Sequence, residues 1–277
     1  MVNSSSRSLQ ALAGKGPEDI AIFGASSRQA HDPWTALCIH GTLDRAASFS
    51  RLTRRLEDFD VIAYDRRGYQ GSRGAGASSR FGRHVDDALD IVAATHHDQP
   101  VVLIGHSFGG LIALATAIAA PGAINAVVVY EPPLRWFDES SGEYEHPLIF
   151  DEPEREVEKF FRRMVSNASW DRMNQSARRE RLDDAGGLFS DIEMTRDEIP
   201  FRIDDLNRIA IPVTFGVGDV VMNPDYGRVA KVVVDALPQG RFVVAKGAAH
   251  GIHLTHPASF ADMVIETTKR SIRESTH

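Results

Sequence analysis

Short apolar runs recur along the chain, and most are separated by stretches whose apolar residues fall at helical spacing. The runs AIFG at 21–24, TALCIH at 35–40, VIAYD at 61–65, VVLIGH at 101–106, AVVVYE at 126–131, VTFGVG at 213–218 and RFVVAKG at 241–247 read as strands. They are short and rich in β-branched residues, as strands buried on both faces tend to be. Helices are expected at 46–58, 84–97, 108–120, 225–237 and 259–271. The one from Phe108 is apolar almost all round and stops at Pro121-Gly122, so it should be buried. Strands alternating with helices predict an α/β fold whose parallel sheet is covered on both faces.

From about 133 to 207 the strand signal vanishes. EPEREVEKFFRRMVSNASW sets Val157, Phe160, Phe161, Met164 and Val165 on one helical face and charges on the other, and a weaker helical stretch follows at 176–188. The chain therefore divides into an N-terminal extension at 1–19, expected to be mobile, a core formed by 20–132 and 208–277, and a helical insertion at 133–207. An insertion between two strands of an open parallel sheet reads as a cap over the sheet's C-terminal edge, where such sheets bind ligands.

At 277 residues and 43% apolar content the chain can bury a substantial core. A net charge of −7, with arginines scattered among acids, leaves no basic stripe for nucleic acid. No apolar stretch is long enough to span a membrane or serve as a signal segment, so a cytoplasmic location is expected. The single cysteine, Cys38, excludes an intrachain disulfide and reads as a buried thiol. A monomer or homodimer acting on a small molecule fits this composition.

The candidate chemistry starts at Ser107. Gly105-His106-Ser107-Phe108-Gly109 places a serine between glycines where an apolar strand meets an apolar helix, the G-x-S-x-G pattern of a nucleophile elbow. A serine hydroxyl is a weak nucleophile at neutral pH and needs a base. Among eleven histidines, His250 stands best, after the last strand and at the expected edge of the sheet. His106 is expected to point away and pack. His250, His253 and His256 recur at steps of three, but positions six apart diverge on a helix, no acidic ligand accompanies them and Thr255 and Pro257 point to a loop, so no metal site is expected. Asp219, directly after VTFGVG, is preferred to Glu131, at the end of AVVVYE, as the carboxylate that orients the base. Backbone N–H groups of Phe108 and of Thr42, or its neighbour Leu43, would form an oxyanion hole. Leu43, Trp136, Phe137, Phe160, Phe161, Met164, Met222 and Ile252 are candidate pocket residues.

The motifs His40-Gly41-Thr42, DRRGYQGS at 65–72, GHSFGG at 105–110, GVGD at 216–219 and GAAHGIHLTHP at 247–257 resemble, in order and spacing, the α/β-hydrolase superfamily of the type with a helical cap. The resemblance covers about residues 20–272. It implies an eight-stranded, mostly parallel sheet, a Ser107–His250–Asp219 triad, no cofactor and no metal. Gln70, Ala249, Gly251 and Thr255 depart from the family's usual residues without touching the triad. A serine at the elbow counts against the branches that use a carboxylate nucleophile. The expected function is hydrolysis of a carboxylic ester, lactone or thioester through an acyl-enzyme. Carbon–carbon bond hydrolysis, cofactor-free perhydrolysis and a ligand-binding receptor of low turnover are the alternatives.

Overall fold

The seven β-branched runs form strands of one sheet, and a two-residue strand joins them in the computed structural model, which describes residues 7–14, 16–28, 33–137, 151–220 and 225–274. The strands are β1 (Gln10–Ala11), β2 (Ile22–Ala25), β3 (Trp34–Ile39), β4 (Phe59–Tyr64), β5 (Val101–His106), β6 (Ala126–Tyr130), β7 (Val213–Gly218) and β8 (Gly240–Ala245). Their order is β1-β2-β4-β3-β5-β6-β7-β8, with β1 and β2 antiparallel and the pairs from β4 to β8 parallel. Every residue of β5, β6 and β7 is buried, which is why their sequences read as unbroken apolar runs rather than alternating ones.

Helices cover both faces. On one, α2 (Phe81–Thr95), α3 (Phe108–Ala119) and α8 (Asp225–Ala236) share a core with Leu103, Val127 and Phe215. On the other, α1 (Ser50–Thr53) and α10 (Pro257–Glu274) pack on Ile104, Val128 and Tyr130, with the short α9 (Ile252–Thr255) just before α10. The helix expected over 46–58 is shorter: a 3-10 turn at Ala46–Phe49 runs into α1.

The register of the central strands determines what meets at the C-terminal edge. Gly105 pairs with Val129 and His106 with Tyr130, so Ser107 and Glu131 leave β5 and β6 side by side. Ile39 pairs with Gly105, which brings the loop after β3 to the same place.

Between β6 and β7 lie α4 (Pro153–Met164), α5 (Asn167–Arg172), α6 (Gln175–Leu182) and α7 (Ala185–Asp197). Proline at the first turn of α4, with Glu154 and Glu156 near its start and Arg162 and Arg163 near its end, suits the helix dipole. The weak helical stretch expected at 176–188 is two helices, because the buried Asp184 carboxylate turns to Arg73 Nε at 2.7 Å and Gln70 Nε2 at 2.6 Å where α6 gives way to α7. Val157, Phe161, Trp170, Leu188 and Ile192 join Leu43 and Tyr69 in a small apolar cluster that seats the insertion on the core. Beneath it, Arg66 and Asp191 form a buried pair, with Arg66 Nη2 2.6 Å and Nη1 3.0 Å from the carboxylate. Tyr69 Oη and Thr42 Oγ1 donate to the same Asp191 oxygen at 2.7 and 2.8 Å.

The N-terminal stretch expected to be mobile is fastened from Arg7 on. β1 pairs with β2, and the buried Arg7 guanidinium donates to the carbonyls of Thr53 at 2.9 Å and Ala25 at 2.8 Å, and also to those of Leu56 and Phe59. A single arginine donating to four backbone carbonyls outweighs the polar composition around it.

Two buried histidines make stability depend on pH. His40 accepts the Arg66 backbone N–H at Nε2, 2.9 Å, and donates from Nδ1 to Gly41 O at 2.7 Å, so it has no site for a second proton. Burial, then the Arg66 charge, lowers its pKa to about 3, and the same two causes lower His84 to about 3. The unfolded chain takes up protons on both below about pH 6.5 while the folded one does not, so stability falls as pH drops from 6.5 toward 3. Between pH 7 and pH 5 each histidine is expected to remove about 2 kcal/mol. Urea unfolding at pH 7, 6 and 5 reads this directly; a flat profile would mean that the two rings titrate normally.

Candidate active site

Ser107 occupies the single-residue turn between β5 and α3, with φ 52° and ψ −126°. A side-chain-bearing residue held there costs about 1–3 kcal/mol, and such strain collects where a group must be presented. The surroundings enforce it. Ser107 N–H donates to Tyr130 O at 2.9 Å, and Gly110 N–H donates to Ser107 O at 2.7 Å. The flanking glycines are required by close approach: a Cβ on Gly105 would stand 2.5 Å from Gly110 Cα, and one on Gly109 2.1 Å from Ile39 O. The glycines of the elbow thus let β5, α3 and the end of β3 converge on one point.

His250 follows β8 and is 6% exposed. Its Nδ1 lies 2.7 Å from Glu131 Oε2, and Glu131, 4% exposed, accepts Gly218 N–H at its other oxygen, 2.9 Å away. With Nδ1–H donated to the carboxylate, Nε2 is the basic nitrogen of the ring. Glu131 itself sits at φ 45°.

The expected pairing of His250 with Asp219 is therefore corrected to His250 with Glu131. Asp219 is exposed, and its Oδ1 accepts the backbone N–H of Gly247 at 2.6 Å in the turn after β8. A short acid after β7 closes that turn, whereas a glutamate after β6 starts one strand nearer Ser107 and has the reach to meet the imidazole.

Ser107 and His250 line one cavity of about 280 Å³. Thr42, Leu43, Phe160, Phe161, Met164 and Leu254 supply much of its wall, and four of these, Leu43, Phe160, Phe161 and Met164, are among the candidate pocket residues. Leu43 has φ 54°, and its carbonyl accepts from the buried Arg181 at 2.9 Å; Thr42 is held by Asp191. Phe108 begins α3, where a backbone N–H has no intrahelical acceptor. Other expectations differ. Trp136 and Phe137 pack edge to face with Phe201 away from the cavity, Trp136 donating to Phe201 O at 2.9 Å. Ile252 is wholly buried in the core beside Phe260, and Met222 lies outside the described residues. His106 does not turn away: it lines the cavity, and its Nε2 stands 2.7 Å from His250 O. Gln70 is more than a loop filler, since its backbone N–H and side chain both reach Asp184 in the insertion.

The model of the alpha/beta hydrolase family matches residues 36–263, most of the chain. The chain belongs to that family. It is 34% identical to Lipase LipV of Mycobacterium tuberculosis over 100 residues, 36% of this chain and 38% of the relative. It is 35% identical to human monoglyceride lipase over 99 residues, 34% of this chain and 33% of the relative. The matches thus span little more than a third of these relatives' length. Among solved structures, carboxylesterase CesB of Bacillus subtilis aligns with TM-score 0.69 at 16% identity, covering 94% of this chain and 91% of that one. A bromoperoxidase of Bacillus anthracis aligns with TM-score 0.69 at 20% identity, covering 90% and 96%. At these identities the structural likeness establishes the fold, an α/β-hydrolase fold with an eight-stranded, mostly parallel sheet. Among the described residues no helix is long and apolar enough to cross a membrane.

Proposed function

We propose that the protein is a carboxylic ester hydrolase whose nucleophile, base and acid are Ser107, His250 and Glu131. The observation that carries this reading is the 2.7 Å contact from His250 Nδ1 to the buried Glu131, His250 lining the same cavity as the strained Ser107. Glu131 holds the ring with Nε2 basic. His250 takes the Ser107 proton as Oγ attacks the substrate carbonyl, and the imidazolium is stabilised by the carboxylate beside it. The oxyanion is met by the N–H groups of Phe108 and of Thr42 or Leu43. Return of the proton releases the alcohol. Water, deprotonated by the same histidine, then cleaves the acyl-enzyme.

The cavity walls favour an apolar acyl group. Phe160, Phe161, Met164 and Leu254 face it, and a volume of about 280 Å³ limits the substrate to small or medium size. Both curated relatives compared above are lipases, which supports an ester over a carbon–carbon or peroxide substrate.

The test pairs covalent labelling with turnover. A fluorophosphonate is expected to add one phosphonyl group to Ser107, located by peptide mass spectrometry. p-Nitrophenyl esters from acetate to octanoate should be hydrolysed by the wild type at least about 10³-fold faster than by Ser107→Ala. Labelling elsewhere, or equal rates in the two proteins, overturns the reading.

A further inference from the structure

A second cluster of chemistry lines the same cavity and has no part in that mechanism. One potential ligand atom from each of Asp44, His106 and His253 lies within 4.8 Å of the other two, the only such group of three among the described residues. Asp44 Oδ2 and His253 Nε2 form a buried pair at 3.0 Å, and His106 Nδ1 has no hydrogen-bond partner. A buried polar atom without a partner is rare and destabilising, and His106 Nδ1 is one, in a cluster with that pair. Two ligands of a tetrahedral zinc ion stand about 3.3 Å apart, given bonds of roughly 2.0–2.1 Å, so atoms within 4.8 Å of one another can close on one ion.

The surroundings of two of the three side chains match as well, whereas His253 Nδ1 has no partner. A metal-bound histidine nearly always donates its other N–H to a carbonyl or carboxylate, and a bound carboxylate is itself hydrogen-bonded. His106 Nε2 stands 2.7 Å from His250 O, which leaves Nδ1 as the lone pair, and Ser48 Oγ donates to Asp44 Oδ1, which leaves Oδ2. The His106 and His253 rings meet at 55° with centroids 4.3 Å apart, so they are not simply stacked. Arg181, the nearby cation on this wall, is turned to Leu43 O. His84 is also buried without partners, but no second ligand joins it. The sequence hid the site because its acid comes from the loop after β3 and its histidines from the end of β5 and from α9; the neighbouring His256 is half-buried and paired with Thr255.

We propose that Asp44, His106 and His253 bind one divalent transition-metal ion of the zinc type, its fourth position open to the cavity that holds Ser107. Two imidazoles and a carboxylate suit zinc better than magnesium or calcium. The inference does not rest on the ester-hydrolase reading, and its measurements do not need turnover.

Equilibrium dialysis of the full chain against Zn²⁺, with metal counted by mass spectrometry, is expected to give one tight equivalent in the wild type, in Ser107→Ala and in His256→Ala. Asp44→Asn and His253→Gln should lose it, and Ser48→Ala should weaken it about 10–100-fold. Crystals of the wild type grown with Zn²⁺ should show one anomalous peak between the three side chains, a result that stands even if a variant fails to fold. No tight equivalent, unchanged binding in Asp44→Asn and His253→Gln, or a peak elsewhere would overturn the proposal. Loss of esterase activity in Ser107→Ala with zinc retained separates the two readings.

Discussion

Glu131→Gln is expected to lower kcat about 10⁴-fold with the fold intact, while Asp219→Asn leaves kcat close to wild type. The size of the first effect follows from hydrogen-bond direction. Gly218 N–H donates to one Glu131 oxygen and His250 Nδ1 to the other. In the glutamine, the oxygen must stay on Gly218 N–H, since turning the amide over would set two donors face to face. The NH₂ group then points at His250 Nδ1 and forces that nitrogen to accept. The ring's proton moves to Nε2, and His250 can no longer take the proton of Ser107. Asp219, exposed and bonded to a backbone N–H in a turn, has no such hold on the base. Steady-state rates on a p-nitrophenyl ester, with thermal melts to confirm folding, decide the matter. A large loss in Asp219→Asn with little in Glu131→Gln would mean that His250 uses the acid after β7 during turnover.

The contest between these two acids shows where sequence reasoning reaches and where it stops. The strands, the elbow and the position of His250 were legible because each is a local pattern: a buried β-branched run, a glycine-flanked serine, a histidine after the last strand. Leu43, Phe160, Phe161 and Met164 followed from helix periodicity and loop position. The choice of acid depended on register. That His106 pairs with Tyr130, setting Ser107 beside Glu131, is a property of two strands together and is written in neither. The signal that could have found it is an ionisable residue ending a wholly apolar strand, since burial of such a group demands a partner. Trp136 and Phe137 failed for the opposite reason. Apolar residues in an insertion look alike whether they face the cavity or, as here, Phe201. Arg7 and the Asp44, His106 and His253 cluster depend on contacts between segments far apart in the chain, which no periodicity records.

Asp191→Ala is expected to destabilise the protein by about 3–5 kcal/mol, the largest stability effect of any single carboxylate removed from the insertion. Arg66 is fully buried, and its guanidinium lies over the rings of Tyr69 and Phe108 at 4.8 and 4.7 Å. Without Asp191 its charge has no counterion, and the hydroxyls of Tyr69 and Thr42 lose the oxygen they share. Burial alone would raise the Asp191 pKa, but the Arg66 charge and hydrogen bonds outweigh it and hold the carboxyl below its ordinary value. Its stabilising contribution is therefore present above about pH 4 and lost as pH falls through the lowered folded value, so wild type and variant should converge in strong acid. The exposed Arg196–Asp197 pair serves as the control, and Asp197→Ala should leave urea unfolding unchanged. The second consequence concerns catalysis. Asp191 holds Thr42, so the insertion fixes the loop proposed to bind the oxyanion, and displacing a donor by even a fraction of an ångström weakens it. At a temperature where Asp191→Ala is still folded, kcat should fall about tenfold or more with KM little changed. A variant that loses stability but keeps its kcat would restrict the clamp to seating the insertion and leave the oxyanion loop to hold its own shape.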